Sequence, residues 1–161
     1  MGLHAFIQPK DQQGVALLEF TLVLPLVLLL LLALGEFGRM LFQYNTLLQA
    51  SRDAGRYVAS QAWNSTLGTV DLTTNTSLVT QTKNVAVYGV PASTGTAVVS
   101  GLTTSMVGVS VVGTNHVKVT ITYTFCPVIG AGNCTGSITG LFPKSITLSI
   151  PLVATTVMRV L

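Results

Sequence analysis

The residues best placed to do chemistry lie near the start of the chain, in "GVALLEF": Gly14, Val15 and Glu19. Glu19 is the single charged residue between positions 15 and 34. A charge at the centre of a membrane helix costs about 2.5–3.5 kcal/mol on insertion scales, so a carboxylate kept there is a functional candidate. A cut after Gly14 would give Val15 a free ammonium and make Glu19 the fifth residue of the processed chain. The two charges could then neutralise each other within one chain or between neighbours. Between neighbours in a packed bundle, the pairing sets axial register, because a slip leaves both charges unpaired among apolar side chains. Pro25 lies in the same run. It removes one backbone donor and crowds the carbonyl of Thr21, which makes it either a hinge or a harmless kink that neighbouring helices tolerate.

A second pair is Cys126 and Cys134, in "CPVIGAGNC". The two histidines, His4 and His116, are far from them in sequence, so no metal-ligand spacing results. A Cys126–Cys134 disulfide is favoured over free thiols. So short a ring contributes about 2–3 kcal/mol in the chain-entropy model, and it implies an oxidising compartment. No Ser-His-Asp set, carboxylate pair or glycine-rich phosphate loop stands out. Five acidic residues in the whole chain offer little material for acid–base catalysis. The expectation is a protein that is not an enzyme and needs no cofactor, metal or small-molecule substrate. Nucleic-acid binding calls for a patch of Lys and Arg. The eight basic residues are scattered and leave a net charge of only +3.

The elements that would carry these residues follow from composition and periodicity. Apolar residues make up 49% and charged residues 8% of the 161 positions, where a soluble domain has about 25% charged. Residues 1–14 read as a short polar leader and 15–36 as a membrane-spanning segment, whose apolar core of 15–34 spans about 30 Å as a helix. The helical pattern continues over 37–62. Phe37, Leu41, Tyr44, Leu48, Ser51, Gly55, Val58 and Ala62 form one stripe, widened by Met40, Leu47 and Ala54, with Arg39, Gln43, Arg52, Asp53 and Arg56 on the other side. Arg52 and Arg56, at i,i+4, face either solvent or a neighbouring subunit or headgroup. One helix over about 15–62 results, ended by "WNSTLGT", with Trp63 placed to cover its end against a sheet.

Residues 63–161 are rich in Thr, Ser and Val and read as an exported domain. "TSLVTQTKNVAVY", 76–88, fits a short helix stopped by Gly89 and Pro91. "HVKVTITYTF" alternates as a strand with Val117, Val119, Ile121, Tyr123 and Phe125 on one face. "MVGVSVVG" is its hairpin partner, and "SITLSIPLVATTVMRV" supplies a further strand in which Pro151 marks an edge or a break. The fold class is α+β: a long N-terminal helix on a small antiparallel sheet. Sequons at Asn64, Asn75 and Asn133 are read as chance products of a Thr/Ser-rich chain.

"GVALLEF" also resembles the class III signal of type IV pilin-like proteins: Gly, four residues, then Glu-Phe and an aliphatic run. More specifically, "GVALLEFTLVLPLVLLLLLALGEFGRMLFQYNTLLQASRDAGRYVA" and "SITLSIPLVATTVMRV" resemble the TadE-like minor pilins (pseudopilins) of tight-adherence (Tad) pilus systems. The resemblance implies cleavage between Gly14 and Val15 by a prepilin peptidase. It also implies a single-pass protein of the bacterial inner membrane, with a cytoplasmic N-terminus and its C-terminal domain outside. Other pilins and the pilus assembly platform would be its partners, and assembly or adhesion its role. The rivals are an ordinary signal anchor carrying an envelope domain that binds a ligand or partner, and a secretory signal cut after "ALG" at Gly35. Local charge runs against the implied orientation, since Lys10 stands on one side and Arg39 and Arg52 on the other.

Overall fold

A computed structural model describes residues 12–128, 137–138, 146–147 and 149–160. It divides into two compact units, Met1–Gly38 and Arg39–Leu161. Helix α1, Gln12–Ala59, has 48 residues and runs through Pro25 without interruption. It starts three residues before the expected position 15 and stops three before 62. Its end tightens rather than breaking off, because the amides of Gln61 and Ala62 both bond to the carbonyl of Val58, at 3.2 and 2.9 Å.

From Arg39 onward, α1 packs on a sheet. The buried stripe is Leu47, Ala50, Ser51, Ala54, Gly55, Val58 and Ala59. Leu47 and Ala54 are therefore central to it rather than flanking, while Leu41 lies outside and is exposed. The reason is the crossing with the sheet, where small residues let the backbones approach. A Cβ on Gly55 would stand 3.4 Å from the sulfur of Met158 and 3.5 Å from the methyl of Thr156. One turn earlier, the Ser51 hydroxyl donates to the Leu48 carbonyl at 2.9 Å, and the Thr156 hydroxyl completes the contact at 2.8 Å.

The helix is followed by a hairpin of two-residue strands, β1 (Trp63–Asn64) and β2 (Thr69–Val70). The Asn64 side chain accepts from the amides of Thr66 and Leu67, and Gly68 closes the turn at φ 65°. Helix α2, Thr76–Tyr88, has the expected bounds. Asn75 caps it by accepting from the Leu78 amide at 3.2 Å, and Gly89 ends it in the left-handed region. Tyr57 of α1 donates to Gln81 of α2 at 2.7 Å.

The principal sheet joins β3 (Val107–Val112), β4 (His116–Phe125) and β7 (Ile150–Arg159), antiparallel, in the order β3-β4-β7. The alternation along β4 behaves as expected. Val117, Val119, Ile121, Tyr123 and Phe125 are buried beneath α1 and α2, and the Tyr123 hydroxyl finds the Ser100 carbonyl at 2.9 Å. Pro151 lies in β7 opposite Thr124, on an edge strand among those described. There its missing donor removes no ladder bond that the sheet needs. The expected C-terminal strand is shorter than its sequence pattern. Ile146–Thr147 (β6) pairs instead with Ser137–Ile138 (β5) as a separate two-stranded ladder. The architecture is α+β, a long N-terminal helix with small antiparallel sheets.

Candidate functional site

In the unit ending at Gly38, Gly14, Val15 and Glu19 all belong to α1, and every side chain from Val15 to Leu34 is exposed. A Cβ at Gly14 would meet nothing within 4 Å. No packing requirement among the described residues therefore explains the glycine. The exposed set is almost wholly aliphatic and lies on every side of the helix, with a mean hydropathy of 2.7 over its most apolar window and none of that window buried. Glu19 interrupts it alone. The helix is long and apolar enough for single-pass anchoring in a membrane. The Thr21 hydroxyl turns back onto the Leu18 carbonyl at 2.9 Å, so it presents no free donor to an apolar medium. Pro25 leaves the helix continuous.

In the unit beginning at Arg39, one cation has a role that periodicity hid. Arg39 is half-buried. Its guanidinium donates to the carbonyl of Cys126 at 2.7 Å and lies 4.7 Å from the centroid of the Phe125 ring. It pins the end of β4 to α1. The partner lies 87 residues away, out of reach of any local pattern. Arg52 and Arg56 are exposed on α1, one turn apart. The expected Cys126–Cys134 bridge ends on a residue outside those described.

Asp71 marks a further polar site. Its carboxylate accepts from the amide and hydroxyl of Thr73, both at 2.9 Å, and from the amide of Thr74 at 3.1 Å, with the Thr74 hydroxyl on its second oxygen. These bonds, those from Thr74 first, hold its carboxyl at about 2, below the ordinary 3.8. Among the described residues no group of three or more His, Cys, Asp or Glu could hold a metal ion.

Residues 14–56 match the family described as TadE-like protein. This stretch of the chain is TadE-like. The match begins on Gly14 and closes on Arg56, so it covers both the exposed apolar segment and the sheet-packing part of α1. No curated protein and no solved structure matches the chain.

Proposed function

We propose that the chain is a structural minor pilin or pseudopilin of a Tad-type pilus. The observation that carries this reading is the TadE-like helix that begins with Gly14–Val15 and is apolar on every side apart from Glu19. A chain on its own has nowhere to bury that surface. A bilayer serves it before assembly, and the helices of other subunits serve it afterwards. A prepilin peptidase cuts between Gly14 and Val15. The protein stands in the inner membrane with its N-terminus cytoplasmic and its folded unit outside, where Cys126 and Cys134 are joined.

In assembly, Glu19 meets the ammonium of Val15 on a neighbouring chain and sets the register of the bundle. Pro25 gives the segment compliance as it passes from bilayer to fibre. Arg52 and Arg56, exposed at one-turn spacing, are available to an adjacent subunit. The role is structural rather than catalytic.

The test is the N-terminus of protein isolated from membranes, read by mass spectrometry, together with Gly14→Val and Glu19→Ala. A mature chain starting at Val15, and precursor accumulation in Gly14→Val, support the reading. Glu19→Ala should be cleaved and inserted normally, since loss of the charge favours the bilayer, yet it should fail to crosslink to other pilins. An isolated protein that still begins at Met1, or that begins at Glu36, defeats the reading in favour of an anchored envelope protein or a secreted one.

A further inference from the structure

The end of the sheet away from Arg39 holds Trp63, the single tryptophan of the chain, 44% exposed. An indole is ordinarily well covered. Its exposure here is not looseness. Trp63 pairs with Val70 across the β1–β2 hairpin, the Asp71 amide bonds to the Ala62 carbonyl at 3.1 Å, and the Val70 amide reaches the Thr114 carbonyl at 3.4 Å. The backbone on either side of the ring is thus hydrogen-bonded into the fold.

Two clefts open beside it. One, of about 200 Å³, is bounded by Trp63 with Gln61, Asn64, Asp71, Thr74 and Asn75. The other, of about 240 Å³, is bounded by Trp63 with Asn115, Arg159 and Val160. The first offers amides and hydroxyls and the second a guanidinium. Arg159 stands opposite His116 in the β4–β7 register, and Lys118 follows two residues on, on the same face. None of β3, β4 and β7 carries an acidic residue. The carboxylate in the first cleft, Asp71, is already taken up by Thr73 and Thr74.

A flat apolar face between hydrogen-bonding groups suits a ligand with one apolar face and a polar rim, and a sugar ring has that form. An exposed guanidinium lining the same cleft suits a carboxylate, which it can grip with two parallel bonds. We propose that this corner binds an extended acidic saccharide of the uronic-acid class, one ring lying on Trp63 and the carboxylate of the next on Arg159. A nucleic acid would call for a longer stripe of cations than Lys118 and Arg159 provide. The site lies wholly within the unit Arg39–Leu161, so it does not depend on the fibre reading.

Because Trp63 is the only tryptophan, the emission of the full chain in detergent micelles reports on this site alone. The probes are a galacturonic acid oligomer, the same oligomer with its carboxylates reduced to alcohols, and inorganic polyphosphate. The acidic oligomer should shift the emission saturably and bind at least about tenfold more tightly than the reduced one. Arg159→Gln should abolish that preference while leaving the emission of the free protein and its thermal midpoint unchanged. Trp63→Ala, followed by calorimetry, should lose both oligomers. The proposal is overturned if the acidic oligomer gives no saturable shift, if both oligomers bind alike, if Arg159→Gln keeps the preference, or if polyphosphate competes as well as the sugar.

Discussion

The two parts of helix α1 are both rich in apolar residues, yet they meet different surroundings. Between Val15 and Leu34 the side chains are Leu, Val and Phe on every side, and all are exposed. Between Leu47 and Ala59 the buried stripe is built chiefly of Ala50, Ser51, Ala54, Gly55 and Val58. Size and distribution separate the two, more than apolarity does. A sheet touches one side of a helix, so large apolar groups all round cannot be satisfied by it, whereas a line of small groups lets the helix settle close to the strands. The all-round pattern requires an apolar medium or several helices. The first part is therefore unfinished in a single chain and the second is complete.

That contrast predicts separable damage. The largest effect should come from Ile121→Ala, beneath the finished part of the helix. Ile121 is fully buried, and its truncation should lower stability by about 2–5 kcal/mol, read as a shifted midpoint in pulse proteolysis of the full chain in micelles. Resistance to alkaline extraction from membranes should not change. Leu28→Lys should do the reverse. A central cation weakens insertion by about 2.5–3.5 kcal/mol, so the protein becomes extractable while its proteolysis midpoint holds. A single variant that moves both readouts would show that the two parts do not act independently.

How much of this was legible in the sequence depended on whether the deciding interaction was local. Helix α2 was, because Asn75 and Gly89 cap it from immediately outside its ends. The burial of β4 was, because strict alternation is a local property of "HVKVTITYTF". The hairpin β1–β2 was not, since two-residue strands have no periodicity; Asn64 and Gly68, spaced as a turn, were the available signal. Gln43 was placed on the polar side, yet its carbonyl oxygen is buried without a hydrogen-bond partner, which no helical wheel foretells. Gly14, Val15 and Glu19 were singled out on spacing and on the cost of a charge, and the structure adds that none of the described residues packs against that glycine.

Arg39 offers a sharper probe of where the finished part begins. Its bond to the Cys126 carbonyl and its position over Phe125 fasten this part of α1 to the end of β4. A charged hydrogen bond contributes about 1.5–3 kcal/mol and a cation over a ring about 0.5–1 kcal/mol at exposed sites. Arg39→Ala should thus cost about 2–4 kcal/mol by proteolysis, at most what Ile121→Ala costs. Arg39→Lys should recover only part of this, because an ammonium cannot stack as a planar guanidinium does. Hydrogen exchange should show the amides near Phe125 losing protection before those near Val119. Uniform loss along β4 would mean that Arg39 supports the sheet as a whole rather than its end.

The smallest effect concerns the loop that leads into α2. Asp71 is partly exposed, and its carboxyl is held at about 2 against an ordinary 3.8 by bonds from Thr74 and Thr73. The sign follows from linkage. A carboxyl whose folded value is depressed contributes stability that is fully present above its unfolded value and is lost as pH falls through the folded one. The wild-type midpoint should therefore carry a small downward slope between pH 3.8 and about 2 that originates at this residue. In Asp71→Asn the amide can still accept through its oxygen, so the turn should persist, but that slope should disappear. Since Asp71 is partly exposed and Thr73 and Thr74 are exposed, salt should weaken the effect, and α1 should be indifferent to it. Thermal midpoints of the two proteins, taken through that window at low and high ionic strength, give the comparison. Parallel curves would mean that the Thr73 and Thr74 bonds form equally well to a protonated carboxyl, and that the loop is held by its backbone alone.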